Sequence, residues 1–143
     1  MRESTDFAIG RTSTLRRVVT AEAVAAFAEV STDTNPAHLD AEFAATTRFE
    51  KPIAHGMLSA AYVSAMLGTQ FPGPGTIYMG QTLKFVKPVF IGDTLDVVVT
   101  VTGFRSEKAI LTMDTTVSNQ HGENVLTGEC VCLVADILET ATH

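Results

Sequence analysis

Between Lys51 and Lys84 the sequence carries no charged side chain. Within that stretch Gly56 to Leu67 reads Gly-Met-Leu-Ser-Ala-Ala-Tyr-Val-Ser-Ala-Met-Leu. A helix this short and apolar nearly all round has no side to give to water, so it has to be enclosed by the rest of the chain. Its small residues let a sheet approach closely. It is not a membrane span, because Gly68, Pro72, Gly73, Pro74 and Gly75 break the run. Gly68 is expected to end the helix, and Phe71 to Gly75 to form a loop.

What encloses the helix lies mostly downstream. Ile77 to Val86 reads as a strand. Leu95, Val97, Val99 and Val101 alternate with Asp96, Val98, Thr100 and Thr102 in a second. Leu111, Met113, Thr115 and Val117 alternate with more polar residues in a third, half-buried one. Gln120 to Glu123 supplies a turn, and Val125 to Leu138 reads as a long last strand. Short turns between successive strands imply antiparallel pairing. One sheet and one buried helix make an α+β fold. With 143 residues the chain is one domain, 1–143, large enough to bury a real core. No internal repeat or linker interrupts it.

A formal charge of −6 argues against a nucleic-acid partner, which needs a basic face. The polar, acidic start, Met1 to Asp6, is not a secretory signal. Cys130 and Cys132, two apart on one strand, are poorly placed for a disulfide and read as buried apolar residues. A reducing cytoplasm fits that reading.

Upstream, Leu15 to Val19 is expected as the first strand. Thr20 caps a helix with Glu22 in its first turn, and Val24, Phe27 and Ala28 recur at helical spacing. That helix delivers the chain to Ser31-Thr32-Asp33-Thr34-Asn35-Pro36-Ala37-His38. Pro36 blocks helix continuation and holds Asn35 extended. Asp33 and His38 can then converge from a fixed, non-helical loop. A carboxylate and an imidazole on one water or hydroxyl are the minimum for general acid–base chemistry. The same residues are also ordinary turn chemistry. Asp40 caps a second short helix through about Thr46, with Phe43 facing inward. His55 and Gly56 stand at the start of the apolar helix, where free amides and the dipole favour negative charge. His55 reads as a residue that orients the loop. No metal is expected, since Asp33, His38 and His55 match no established zinc spacing. His121 and His143 are expected in solvent.

Phe27 to His38, followed by Ala44, resembles the signature of the MaoC-like (R)-specific enoyl-CoA hydratases: aromatic, aliphatic, Ser, often Gly, Asp, spacer, Asn-Pro, spacer, His, small residue. Thr32 departs from the frequent glycine. Ile53-Ala54-His55-Gly56-Met57-Leu58 and Phe85 to Asp93 are similar to two further blocks of the family. The resemblance runs along nearly the whole chain and is strongest to the short bacterial hydratases that feed polyhydroxyalkanoate synthesis. It implies a hot-dog fold and reversible hydration of trans-2-enoyl-CoA in fatty acid metabolism. It implies that Asp33 and His38 move protons while the Gly56 amide polarises the thioester carbonyl. It places Asn35, His55 and Ser64 about the substrate, with Leu67 and Cys132 as walls of a tail pocket for short acyl chains. No cofactor is implied beyond the CoA thioester itself, and a homodimer or larger homo-oligomer is. A hot-dog thioesterase and a non-catalytic acyl-binding domain are the alternatives. The first is disfavoured because thioesterases of this fold usually carry a carboxylate on or near the central helix, where Gly56 to Leu67 has none.

Overall fold

A computed structural model describes residues 1–139, so the expectation for His143 lies outside the described residues. The chain folds as β1 (Thr12–Val18), α1 (Ala21–Ser31), α2 (Pro36–Leu39), α3 (Ala41–Ala45), α4 (Gly56–Thr69), β2 (Ile77–Gln81), β3 (Lys84–Phe85), β4 (Thr94–Arg105), β5 (Ile110–Ser118) and β6 (Asn124–Leu133). The strands form one antiparallel sheet in the order β1-β4-β5-β6-β2, with β3 also pairing with β6. The α+β expectation holds. Period-2 patterning sets the inner face: Leu95, Val97 and Val99 on β4, with Leu111, Met113 and Val117 on β5, are fully buried. Val63, Met66 and Leu67 of α4 are buried in the same core.

The caps follow the sequence. Thr20 accepts from the Ala23 amide, and Asp40 accepts from those of Glu42 and Phe43. Five details differ from expectation. Pro36 does not keep His38 out of a helical turn; it starts one, because proline suits the first helical position, where no amide donor is needed. Phe43 is 45 % exposed, and Ala44 beside it is the buried residue of α3. Gly68 does not end α4, which runs on to Thr69; the position is exposed and the helix crosses it. Nor is α4 enclosed all round, since Met57, Ala61, Ser64 and Gly68 leave an exposed stripe along it.

The fifth difference concerns the strands. Ile77 to Val86 divides into β2 and β3, and β6 stops at Leu133. The cause of the division sits at Gly128. A Cβ there would fall 1.9 Å from the Thr82 carbonyl oxygen, so only glycine lets the two backbones cross so closely. The Thr82 amide donates to the Glu129 carbonyl, and the Thr82 hydroxyl accepts the Glu129 amide.

Candidate active site

The C-terminus of α1 sets the loop. Ser31 donates its hydroxyl to the Phe27 carbonyl at 2.6 Å and accepts the Asp33 amide at 3.1 Å. Between them Thr32 adopts the left-handed conformation, φ 64° and ψ 11°. A non-glycine residue there carries strain of about 1 kcal/mol or more. That explains in physical terms why a glycine suits this position. The chain then turns so that one Asp33 carboxylate oxygen accepts the Asn35 amide at 3.2 Å. Asn35 in turn accepts the Ala37 amide with its own side chain, capping α2. Asn35 thus builds the loop, with its acceptor directed to backbone.

Two histidines meet behind Asp33. His38 Nδ1 lies 2.6 Å from the Ile53 carbonyl, which can only accept. In the neutral ring Nδ1 therefore carries the proton and Nε2 the lone pair. By the same reasoning His55 donates from Nε2 to the Asp33 backbone carbonyl, 2.9 Å away. The two rings stack with centroids 3.8 Å apart and planes at 31°. Phe27 packs on the other ring contact of His55 at 4.9 Å. His55 is 2 % exposed, and its Nδ1 has no hydrogen-bond partner. It ties α4 to the Asp33 loop and packs against the His38 ring. These are the contacts that a loop-orienting residue would make.

Ligating atoms of Asp33, His38 and His55 all lie within 4.8 Å of one another. They open, with Gly56, Ser59 and Phe85, on a cavity of about 410 Å³. Gly56 is the first residue of α4, and the helix has no side-chain cap. The Leu58 amide turns back to the His55 carbonyl, and the Gly56 amide ahead of it remains available to a negative or polarised oxygen. Sequence reasoning missed Ser59 and Phe85. Ser59 is three residues on from Gly56, so helical spacing alone could have placed it on the site's face.

A second hollow of about 460 Å³ lies beside the first, with Met57 on the wall of both. Ser64 lines it, with Phe27, Ala61, Tyr78 and Leu83. The Tyr78 hydroxyl donates to the Gln81 side-chain oxygen, and burial pushes that phenol well above the usual range. Leu67 and Cys132 line neither hollow; they are 1 % and 0 % exposed in the core. Ser64 and Leu67 were expected on one face. Three residues leave about 60° between them around the helix, enough to turn Leu67 inward while Ser64 faces out. The Cys132 thiol is pushed upward by its hydrogen bond with Cys130 and by burial, as an inert core thiol would be.

Residues 6–123 match the family model described as a MaoC like domain. The (R)-specific enoyl-CoA hydratase of Aeromonas caviae is 50% identical over 86% of this chain and 92% of its own. That of Rhodospirillum rubrum is 46% identical over 90% of this chain and 89% of its own. A solved (R)-hydratase from A. caviae, described as involved in PHA biosynthesis, has a TM-score of 0.85 at 49% identity. It covers 87% of this chain and 95% of that one.

Proposed function

The chain belongs to the MaoC-like family, and we propose that its Asp33–His38 loop carries out the family's hydration chemistry. The protein is an (R)-specific enoyl-CoA hydratase, a hydro-lyase that adds water to trans-2-enoyl-CoA and removes it from (R)-3-hydroxyacyl-CoA. Its fold is the hot dog: one antiparallel sheet around one central helix.

One observation carries the assignment of roles. The Asp33 carboxylate and the bare Nε2 of His38 converge in the cavity that also receives the uncapped start of α4. A water held between carboxylate and imidazole can give its hydroxyl to C3 of the enoyl group. The Gly56 amide holds the thioester oxygen, where negative charge develops as the enolate forms. The proton taken from the water is returned at C2, so the pair ends in its starting state. Asp33 and His38 act on one water as a coupled unit. His55 fixes both through Asp33's carbonyl and the ring stack. Asn35 holds the loop, and Ser64 faces the second hollow, which suits an acyl chain leaving the site.

The absence of Asp and Glu from α4 supports hydration over thioester hydrolysis. Asp33, His38 and His55 are close enough for a cation to use, but the reaction as drawn asks only for water and the CoA thioester. Short acyl chains, a role in polyhydroxyalkanoate supply, a cytoplasmic setting and a homodimer complete the proposal. Buried free cysteines fit a reducing compartment, and the net charge of −6 fits no nucleic-acid partner. Among the described residues no helix is long and apolar enough to cross a membrane. The dimer is supported by apolar residues exposed along the β2–β3 edge, Ile77, Met79, Phe85 and Val86.

The test follows crotonyl-CoA by loss of enoyl absorbance, with free thiol measured in parallel and with a chelator in a second series. Hydration without thiol release, indifferent to chelator, is expected. Thiol appearing in step with enoyl loss would make the protein a thioesterase. Chelator inactivation reversed by a metal would put a cation at Asp33, His38 and His55.

A further inference from the structure

Resting on the hydratase reading, we propose that Arg48 and Lys51 form a two-point clamp for the nucleotide phosphates of coenzyme A at the mouth of the active-site cavity. Arg48 lines the same cavity as Asp33 and His38. Its guanidinium lies over the Phe49 ring at 4.9 Å from the centroid. Lys51 sits on the Phe90 ring at 4.3 Å, and Phe90 forms a β-bridge with Ile53, the residue whose carbonyl holds His38. Each flexible side chain is therefore held on an aromatic face, and its N–H donors have no hydrogen-bond partner among the described residues.

Arg11, Arg16, Lys87 and Arg105 each pair with a carboxylate. Lys87 lines this same cavity, yet its charge is met by Glu123, whose carboxyl it holds below the usual range. Among the described residues Arg2, Arg17, Arg48, Lys51, Lys84 and Lys108 have no carboxylate partner, Glu50 pairs with neither Arg48 nor Lys51, and of these cations Arg48 lines the cavity. In a chain of net charge −6, unpaired Arg48 on the cavity wall and unpaired Lys51, between the lining residues Phe49 and Ile53, attract a small polyanion locally. The alternative polyanion is an acidic carrier protein, which would meet this chain over a broad face and be repelled by its net charge. The nucleotide end of coenzyme A concentrates its charge in a few phosphates and fits two points.

Kinetics of wild type and Arg48→Gln/Lys51→Gln on crotonyl-CoA and crotonyl-pantetheine test the clamp. The pantetheine thioester presents the same reacting group without phosphates. Both positions are exposed, so the fold is expected to tolerate the change, and circular dichroism checks it. The expected result is a rise in KM for crotonyl-CoA on the order of three- to thirtyfold, with kcat held and crotonyl-pantetheine unaffected. In the wild type, KM for the CoA thioester should also climb with ionic strength while that for the pantetheine thioester does not. A KM unmoved for both substrates, or moved equally for both, overturns the clamp. A defect seen only with a crotonyl-carrier protein overturns the choice of coenzyme A. A wild type that hydrates neither thioester overturns the hydratase reading beneath it.

Discussion

A methyl group on Gly56 would lie 2.8 Å from Cδ1 and Cε1 of Phe85 and 3.2 Å from its Cγ. Contacts this short cannot stand, so either the ring or the start of α4 must move. Phe85 is 51 % exposed on a strand of two residues, so the ring can swing outward. The packing cost of Gly56→Ala then falls near the low end of overpacking, about 1 kcal/mol. Alanine in place of glycine in a helix returns up to about 1 kcal/mol. The two nearly cancel, and the melting temperature should move by only a few degrees in a chain of this size. Activity has no such compensation. Phe85 and Gly56 border the cavity that holds Asp33 and His38. A shift of about 1 Å in the thioester there is worth roughly a hundredfold in rate. We expect kcat on crotonyl-CoA to fall by about ten- to a hundredfold. The assay is a double-mutant cycle of Gly56→Ala and Phe85→Ala, read by rate and by thermal melt. If the ring is the obstacle, the double variant returns to the rate of Phe85→Ala alone. Full kcat in Gly56→Ala, or a double variant no better than the single, would refute the steric argument.

Asp33→Asn and His38→Ala should each lower hydration by about a hundred- to ten-thousandfold, and the double variant should be little worse; near-normal turnover in either single variant removes the pair from the mechanism. Leu67→Ala empties part of the core, so a stability loss of about 2–5 kcal/mol is expected. If the tail pocket deepens there, longer enoyl-CoAs gain in kcat/KM relative to crotonyl-CoA, and an unchanged profile in the folded variant makes Leu67 core alone. The Tyr78 phenol is raised by burial, with the Cys130 and Cys132 thiols adding to it. The unfolded phenol ionises first, near the ordinary phenol value of 10.0, so stability should fall as pH rises past that point. Melting curves at pH 9 and about 11 check it, and Tyr78→Phe should flatten the drop. Sedimentation at micromolar concentration should show a dimer; a fully active monomer contradicts it.

Much of the fold was legible because the patterns were local. Alternation in Leu95 to Val101 gave β4, and the uncharged stretch from Gly56 gave a central helix. The loop was legible through its residue types, though the proline was read only as a breaker. Pro36 is both breaker of α1's direction and first residue of α2, and local sequence does not separate those uses. What could not be read was tertiary. Gly128 looks like any strand glycine until Thr82 is placed against it. Phe85 belongs to the site only because β3 crosses the start of α4. Ser64 and Leu67 look equivalent on a helical wheel, yet the sheet covers one and leaves the other open.

The two margins of the sheet differ in character, and for the proposed dimer this would limit how large an assembly can grow. Along β1 the margin carries Thr12, Ser13, Thr14, Arg16 and Arg17, with exposed Val18 at its end and Arg16 fixed by Asp96 of the neighbouring strand. Along β2 and β3 it carries exposed Ile77, Met79 and Phe85. A copy that joins through the apolar margin must bring its own apolar margin, which makes the contact self-complementary. Each copy then turns its polar β1 margin outward, where charge discourages further pairing. In the proposed dimer, association through the sheet edges would stop at two copies, because an open-ended fibre would have no free apolar margin from which to continue.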